Sequence, residues 1–210
     1  MKVLDLFSGL KGWSQAFEDR GHFVVTVDID KKFNPTICVD VMDLTVQDLE
    51  QHGYFHVVLA SPPCNCFSVA SIPKHWNHHI PKETAKKAIK LVSHTIDLIL
   101  NLHPRFWFLE NPMGMLRTVL GKPQKHTAFA YWGEYRKKPT DIWGVFPKTM
   151  KWSTTGFWDK TPRGSHNTGT QAIKTPEERA KIPYPLSLAV CLGCEKELGE
   201  EKLLEECEKQ

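Results

Sequence analysis

The chain has 210 residues, 41% of them hydrophobic, with a formal net charge of +3. That is enough apolar material for one domain-sized core, and the absence of any run of about 18 apolar residues excludes a membrane-spanning helix. The start MKVLDLFSG lacks the long apolar stretch and small-residue cleavage site of a signal peptide, so a cytoplasmic protein is expected.

Cys38, Cys64, Cys66, Cys191, Cys194 and Cys207 read as thiols of a reducing compartment, not as a disulfide framework. Charge is segregated along the chain. Residues 61–181 carry 19 basic against 8 acidic side chains, and the flanking segments are acidic. A basic middle interleaved with Trp and His, as in PKHWNHH and KTMKW, suits a polyanion such as nucleic acid, and a set of solvated basic faces is the plain alternative.

In chain order, KVLDLF predicts a first strand, and SGLKG a turn opening a helix through WSQAFEDRG that Gly21 closes. HFVVTVDID is a second strand ending in acids, TICVDV a third, VQDLEQHG a short helix, and FHVVLA a strand running into ASPPCNCFS. Over residues 83–102, Ala85, Ala88, Ile89, Val92, Ile96, Ile99 and Leu100 recur at helical spacing. RFWFLE is a further strand and MGMLRTVL a helix. The alternation predicts an α/β, Rossmann-like fold: a mostly parallel sheet, helices on both faces, and a ligand crevice at the carboxyl ends of the strands. The main domain is expected over residues 1–144, a small irregular lobe over 145–180, and a helical tail over 181–210.

Ser8, Gly9, Asp28, Asp40, Cys64 and Glu110 each fall at or just past a predicted strand end, which points to one crevice. Gly9 and Gly12 allow a ligand to approach the backbone, although a tight turn alone would also use them. A carboxylate at Asp28 stands where ribose hydroxyls are commonly bound in such sheets, or is a solvated turn acid. Pro62 and Pro63 fix φ and remove two amide donors, so the backbone arrives at Cys64 stiff and outside any ladder. A thiol so prepared is a candidate nucleophile. Glu110 emerges from the apolar FWFL, where its charged form is disfavoured, or is a surface acid paired with a lysine. The CLGC segment has the spacing of half a zinc site, but without a second pair it reads as helix packing, and no metal is expected.

Taken together, DLFSGLKG, ASPPCNCFS and FLENP, in this order on alternating strands, resemble the DNA cytosine-5 methyltransferases. That family has a Phe-x-Gly motif at its first strand, Pro-Cys after its fourth and Glu-Asn after its fifth. The resemblance covers residues 1 to about 118. It implies S-adenosyl-L-methionine as cofactor, in a pocket formed by Phe7, Ser8, Gly9, Leu10, Gly12, Asp28, Ile29, Asp40, Val41 and Pro63. Asp28 would hold the ribose hydroxyls and Asp40 the adenine amine. It implies Cys64 as nucleophile, Glu110 as the acid gripping the cytosine edge and Asn111 as its support. The substrate would be DNA with its cytosine flipped out or single-stranded. The segment SVASIPKHWNHHIPK would be a lid that orders on nucleic acid. Ser68, Lys74, His75, Trp76, His78 and His79 would contact the DNA, together with Lys137 and Lys138.

The chain departs from the family pattern at Lys11, usually glycine, at Ile29, often aromatic, and at Pro112, usually valine. No clear Gln-x-Arg-x-Arg segment appears, so Arg136 or Lys138 would replace its arginine. With only residues 145–180 left for target recognition, the resemblance implies a compact, phage-like variant with little sequence specificity or a partner that supplies it. A transfer-RNA cytosine-5 methyltransferase and a non-catalytic nucleic-acid-binding relative are the alternatives.

Overall fold

The computed structural model describes residues 1–134, 137–156 and 175–208. Among them nine strands form: β1 (Lys2–Leu6), β2 (Phe23–Asp28), β3 (Ile37–Cys38), β4 (Val57–Ala60), β5 (Trp76–Asn77), β6 (Ile80–Pro81), β7 (Phe106–Pro112), β8 (Lys125–Ala128) and β9 (Pro139–Val145). The helices are α1 (Gln15–Asp19), α2 (Val46–Glu50), α3 (Ile72–His75), α4 (Glu83–Asn101), α5 (Leu116–Leu120), α6 (Pro176–Ala180) and α7 (Tyr184–Glu208). Seven strands make one sheet in the order β3-β2-β1-β4-β7-β9-β8, and β5 pairs with β6 in a small hairpin. The first five are parallel, and β9 runs antiparallel to both β7 and β8.

Side chains alternate across a strand, so each central strand feeds two cores. Leu4 and Leu6 of β1, Val58 and Ala60 of β4, and Leu109 of β7 face Val92 and Ile99 of α4. Val3, Val57, Leu59, Phe106 and Phe108 face the opposite side, where Phe17 of α1 meets Leu186, Val190 and Cys191 of α7. Each such fully buried large apolar side chain contributes roughly 1.5–3 kcal/mol of transfer free energy. The tail thus packs into the same core as the first strand. No helix among the described residues is long and apolar enough to cross a membrane.

Several elements differ from the sequence expectation. The third strand ends at Cys38, because Asp40 caps a 3₁₀ turn over Val41–Asp43 by accepting the Met42 N–H at 2.9 Å. Strands β8 and β9 were not foreseen. Pro139, Asp141 and Gly144 lower the strand propensity of β9, and its six-residue pairing with β7 supplies what propensity does not. The segment expected as a lid is folded into α3 and the β5–β6 hairpin. It is held by the Trp76 indole N–H on the Cys66 carbonyl at 2.6 Å and by a 2.7 Å hydrogen bond between His75 Nδ1 and Thr84 Oγ1.

Cys191 and Cys194 are buried in the second core. Donor atoms of His22, Cys191 and Glu195 lie within 4.8 Å of one another. Arg20, however, already engages both oxygens of Glu195, at 2.9 and 2.7 Å, and a guanidinium there repels a second cation.

Asp5, on β1, is buried, and the Ser14 hydroxyl donates to its Oδ2 at 2.6 Å. Burial pushes its carboxyl up to about 7 from an ordinary 3.8. The folded chain therefore holds a proton that the unfolded chain has lost, and this contribution to stability is full below about pH 4 and disappears as pH rises through about 7. Asp5→Asn, a neutral isostere, is expected to melt higher than the parent at pH 8 and near it at pH 4. A kcal/mol corresponds to about 2–4 °C in a chain of this size. Equal melting-temperature differences at both pH values would contradict the assignment.

Candidate active site

The parallel register sets the carboxyl ends of four strands side by side: Leu6 lies opposite Val27 and Ala60, and Ala60 opposite Leu109. Phe7, Asp28, Ser61 and Glu110 follow at once, around the point where the sheet reverses its winding direction and where ligands bind in such folds. The turn after β1 is tight. Phe7, Gly9 and Lys11 all take positive φ (62°, 45° and 55°), and the Ser8 N–H is anchored on the Val27 carbonyl at 3.0 Å. Lys11 occupies a left-handed conformation that glycine adopts without steric cost, and its ammonium pairs with Glu18 at 3.0 Å.

A cavity of about 380 Å³ opens beside this turn. All ten residues read toward a cofactor pocket line it: Phe7, Ser8, Gly9, Leu10, Gly12, Asp28, Ile29, Asp40, Val41 and Pro63. Asp28 is fixed by the Gly9 N–H on Oδ2 at 2.8 Å and the Asp30 N–H on Oδ1 at 2.9 Å. Each oxygen keeps a lone pair for a ligand. The Ser8 Oγ is buried without a hydrogen-bond partner among the described residues.

Sequence reasoning missed the remaining walls. Trp13, Phe33, Val39, Ser61 and Leu91 line the cavity, as do Glu177, Ala180, Lys181 and Ile182 from the far end of the chain. Lys32 ties Glu177 across the mouth at 2.9 Å and, by donating to it, holds its carboxyl down at about 2. Gly12 is what lets this wall approach, since a Cβ there would lie 2.4 Å from the Ile182 nitrogen.

The nucleophile candidate is held from across the sheet. The Asn111 side chain, fully buried, donates Nδ2–H to the Pro62 carbonyl at 2.9 Å. The Met115 N–H donates to the Phe67 carbonyl at 2.7 Å, and Gly114 packs so closely that a Cβ would sit 2.1 Å from the same oxygen. These contacts clamp the loop after β4 to the loop after β7.

Cys64 is half-buried. Burial pushes its thiol up, and the charge of Glu110 adds to this, while Lys138 and Arg179 pull it back. Glu110 is only 4% exposed, and burial raises its carboxyl above the ordinary carboxylate range, with Lys138 the main opposing influence. Two hydroxyls reach it, Ser61 Oγ at 3.4 Å to Oε2 and Thr140 Oγ1 at 3.5 Å to Oε1. Thiol, acid and ammonium are thus near enough to bias one another's protonation. The Lys138 ammonium is anchored on the Arg179 carbonyl at 3.0 Å and lies 3.9 Å over the Phe129 ring. Arg136 lies outside the described residues.

The residues read toward nucleic acid divide. Lys74, His78, His79 and Lys137 are exposed, and Ser68 and Lys138 are half-buried. His75 and Trp76 point inward, at 8% and 3% exposure. Trp76 packs against Phe67 and spends its N–H on the loop backbone, so neither side chain is presented outward as expected.

The strand order and the strand-end cavity define a Rossmann-like methyltransferase fold. The crystal structure of a DNA modification methyltransferase candidate encoded within an E. coli prophage shares it, with a TM-score of 0.50 and 19% identity, covering 69% of this chain and 46% of that one. The sequence profile described as "C-5 cytosine-specific DNA methylase" matches residues 1–129. The "Probable DNA (cytosine-5)-methyltransferase" of Frog virus 3 (isolate Goorha) is 33% identical over 165 residues, 71% of this chain and 74% of its own. The type II methyltransferase M.XorII of Xanthomonas oryzae pv. oryzae is 29% identical over 133 residues, 53% of this chain and 28% of its own. The chain belongs to the C-5 cytosine-specific DNA methylase family.

The close approach at Gly12 makes a direct test of the cavity wall. Gly12→Ala is expected to cost about 1–3 kcal/mol through overpacking, read as a lowered thermal midpoint. An unchanged midpoint would mean that residues 181 and 182 do not close this side.

Proposed function

We propose that the protein transfers a methyl group from S-adenosyl-L-methionine to carbon 5 of cytosine in DNA through a covalent bond from Cys64. The observation that supports this reading is that the loop carrying Cys64 and the strand end carrying Glu110 follow adjacent parallel strands and are tied by the Asn111–Pro62 hydrogen bond, beside a cavity suited to a nucleoside-sized ligand. The cavity volume lies in the usual range for such ligands, roughly 300–1,000 Å³. Its donors and acceptors fit the cofactor: the Asp28 carboxylate suits ribose hydroxyls, Asp40 an exocyclic amine, and the apolar Ile29, Phe33, Val41 and Leu91 a flat ring. The Ser8 hydroxyl, without a hydrogen-bond partner among the described residues, offers a buried polar contact. When bound there, S-adenosyl-L-methionine supplies an electrophilic methyl group.

Carbon 5 of cytosine is a poor nucleophile until the ring is activated. Addition of the Cys64 thiolate to carbon 6 forms the S–C6 bond and moves electron density to carbon 5 and ring nitrogen 3. Glu110, whose protonated form burial favours, donates its proton toward nitrogen 3 and stabilises the charge developing there. Carbon 5 would then take the methyl group that the bound cofactor would supply, the sulfur–methyl bond breaking with its electron pair left on sulfur as a neutral thioether. Loss of the carbon-5 proton to water and cleavage of the S–C6 bond restore the aromatic ring and return the thiolate, and nitrogen 3 gives its proton back to Glu110.

The protonation states favour one another. A proton on Glu110 removes the negative charge that opposes thiolate formation at Cys64, and Lys138 stabilises that thiolate. Lys138 is thus the residue we assign to the role of the family's absent arginine. A base stacked in a duplex cannot enter such a cleft, so the cytosine must be flipped out or unpaired. The exposed Lys74, His78 and His79 are suited to the flanking phosphates, in a protein acting on DNA in the cytoplasm with sequence choice left to a small lobe or a partner.

Cys64→Ser is expected to reduce methyl transfer from labelled cofactor to DNA below detection, while cofactor affinity stays within about threefold, because the change removes a step of chemistry and not a pocket contact. Undiminished transfer by this variant would remove the mechanism.

A further inference from the structure

Ser61 belongs neither to the nucleophile motif nor to the acid, yet it touches both the cavity and Glu110. Its Oγ accepts the Trp13 indole N–H at 2.9 Å and donates to Glu110 Oε2 at 3.4 Å. The indole nitrogen can only donate. Trp13 is 2% exposed and packs on Phe108, so it has no freedom to release Ser61. A serine hydroxyl carries one proton, and with the indole already donating to its oxygen, that proton is directed to Glu110 Oε2.

The other oxygen of Glu110 meets a different environment. The Thr140 hydroxyl lies 3.5 Å from Oε1 but 3.3 Å from the Lys138 carbonyl, and its single proton is divided between them. Both contacts are long for hydroxyl donors, and what separates them is the competition for the proton: Ser61 has its oxygen already filled by the indole, whereas Thr140 has a second acceptor in the Lys138 carbonyl. A neutral carboxylic acid places its own proton on the oxygen that is not already receiving one. Resting on the proposed reaction, we infer that Ser61 is a positioning residue: oriented by Trp13, it keeps the acid's proton on Glu110 Oε1 and sets the pH at which Glu110 loses it. Both Trp13 and Ser61 line the cofactor cavity, so the group that tunes the acid also forms part of the cofactor's wall.

A purely structural Ser61, present only to satisfy the Trp13 indole, would leave the titration of Glu110 unmoved. The test follows the Glu110 carboxyl directly by carbon-13 NMR of the full chain with labelled glutamate, with Glu110→Gln identifying its resonance. A hydroxyl donor favours the carboxylate, so Ser61→Ala is expected to raise the Glu110 midpoint by about one pH unit. Ser61→Thr, which keeps the hydroxyl, restores the parent value, and Trp13→Phe, which frees the hydroxyl to rotate, gives a smaller upward shift. If Ser61→Ala does not fold, Trp13→Phe carries the same test.

In methyl-transfer assays, the fall in rate at high pH is expected to move up by the same amount. An unmoved Glu110 midpoint in Ser61→Ala and Trp13→Phe would overturn the inference whether or not the chain transfers methyl groups. A midpoint that moves while the rate profile stays put would leave the hydrogen-bond lock standing and overturn the catalytic reading of Glu110.

Discussion

One hydrogen bond, from the Asn111 side chain to the Pro62 carbonyl, joins residues 49 apart in the chain and ties the loop that carries Cys64 to the strand end that carries Glu110, the two groups of the proposed reaction. It is available only because β4 and β7 pair in parallel with Ala60 beside Leu109. A shift of one residue in that register would turn every side chain of the strand to the other face, sending Glu110 into the α4 side of the sheet. VVLA and FWFL are continuous apolar runs that pack into a core on each face of the sheet, and this two-sided packing holds the register from which the site inherits its geometry. The proline pair then has a physical role: without amide donors to pair elsewhere, the loop offers its carbonyl to Asn111 and delivers the thiol at a fixed distance beyond.

The chemistry of the cleft follows from its dryness. Burial disfavours both the thiolate and the carboxylate, and each charge would further oppose the other. Two negative charges are therefore opposed there, and Lys138 opposes the loss of a single one. Placing that charge on sulfur and the proton on Glu110 is the arrangement that cytosine addition requires. Ser61 also lines the cavity proposed for the cofactor, so in the proposed reaction the electrophile, the nucleophile and the acid would be organised by strand ends that are neighbours in one sheet.

Much of this was legible in the residues. Strands β1, β2, β4 and β7 are short apolar runs bounded by turn residues, and the ten residues read toward a pocket line one cavity because motifs at strand ends are local. What was not legible depends on distant contacts. Glu177 to Ile182 form a wall only because Gly12 admits them and Lys32 ties them down, and no local pattern announces either. Trp76 and His75 look like outward-facing contacts in PKHWNHH, but the partner of the Trp76 indole is a backbone carbonyl, which sequence does not display. Strand β9 contains a proline, an acid and a glycine, so its existence is owed to the edge of β7. Ser61 went unnoticed because its role is defined by Trp13 and Glu110, one on each side in the chain.

The most direct measurement concerns the bond between sulfur and base. A cytosine carrying fluorine at carbon 5 has no proton to lose there, so the adduct cannot collapse once the methyl group has been added. Incubating the protein with cofactor and an oligonucleotide containing 5-fluorocytosine should yield a protein–DNA conjugate. Its mass should equal chain plus oligonucleotide plus one methyl group, and peptide mapping should place the linkage at Cys64. Methylation of ordinary cytosine with no conjugate formed from the fluorinated base, or a conjugate mapped to another residue, would contradict the account.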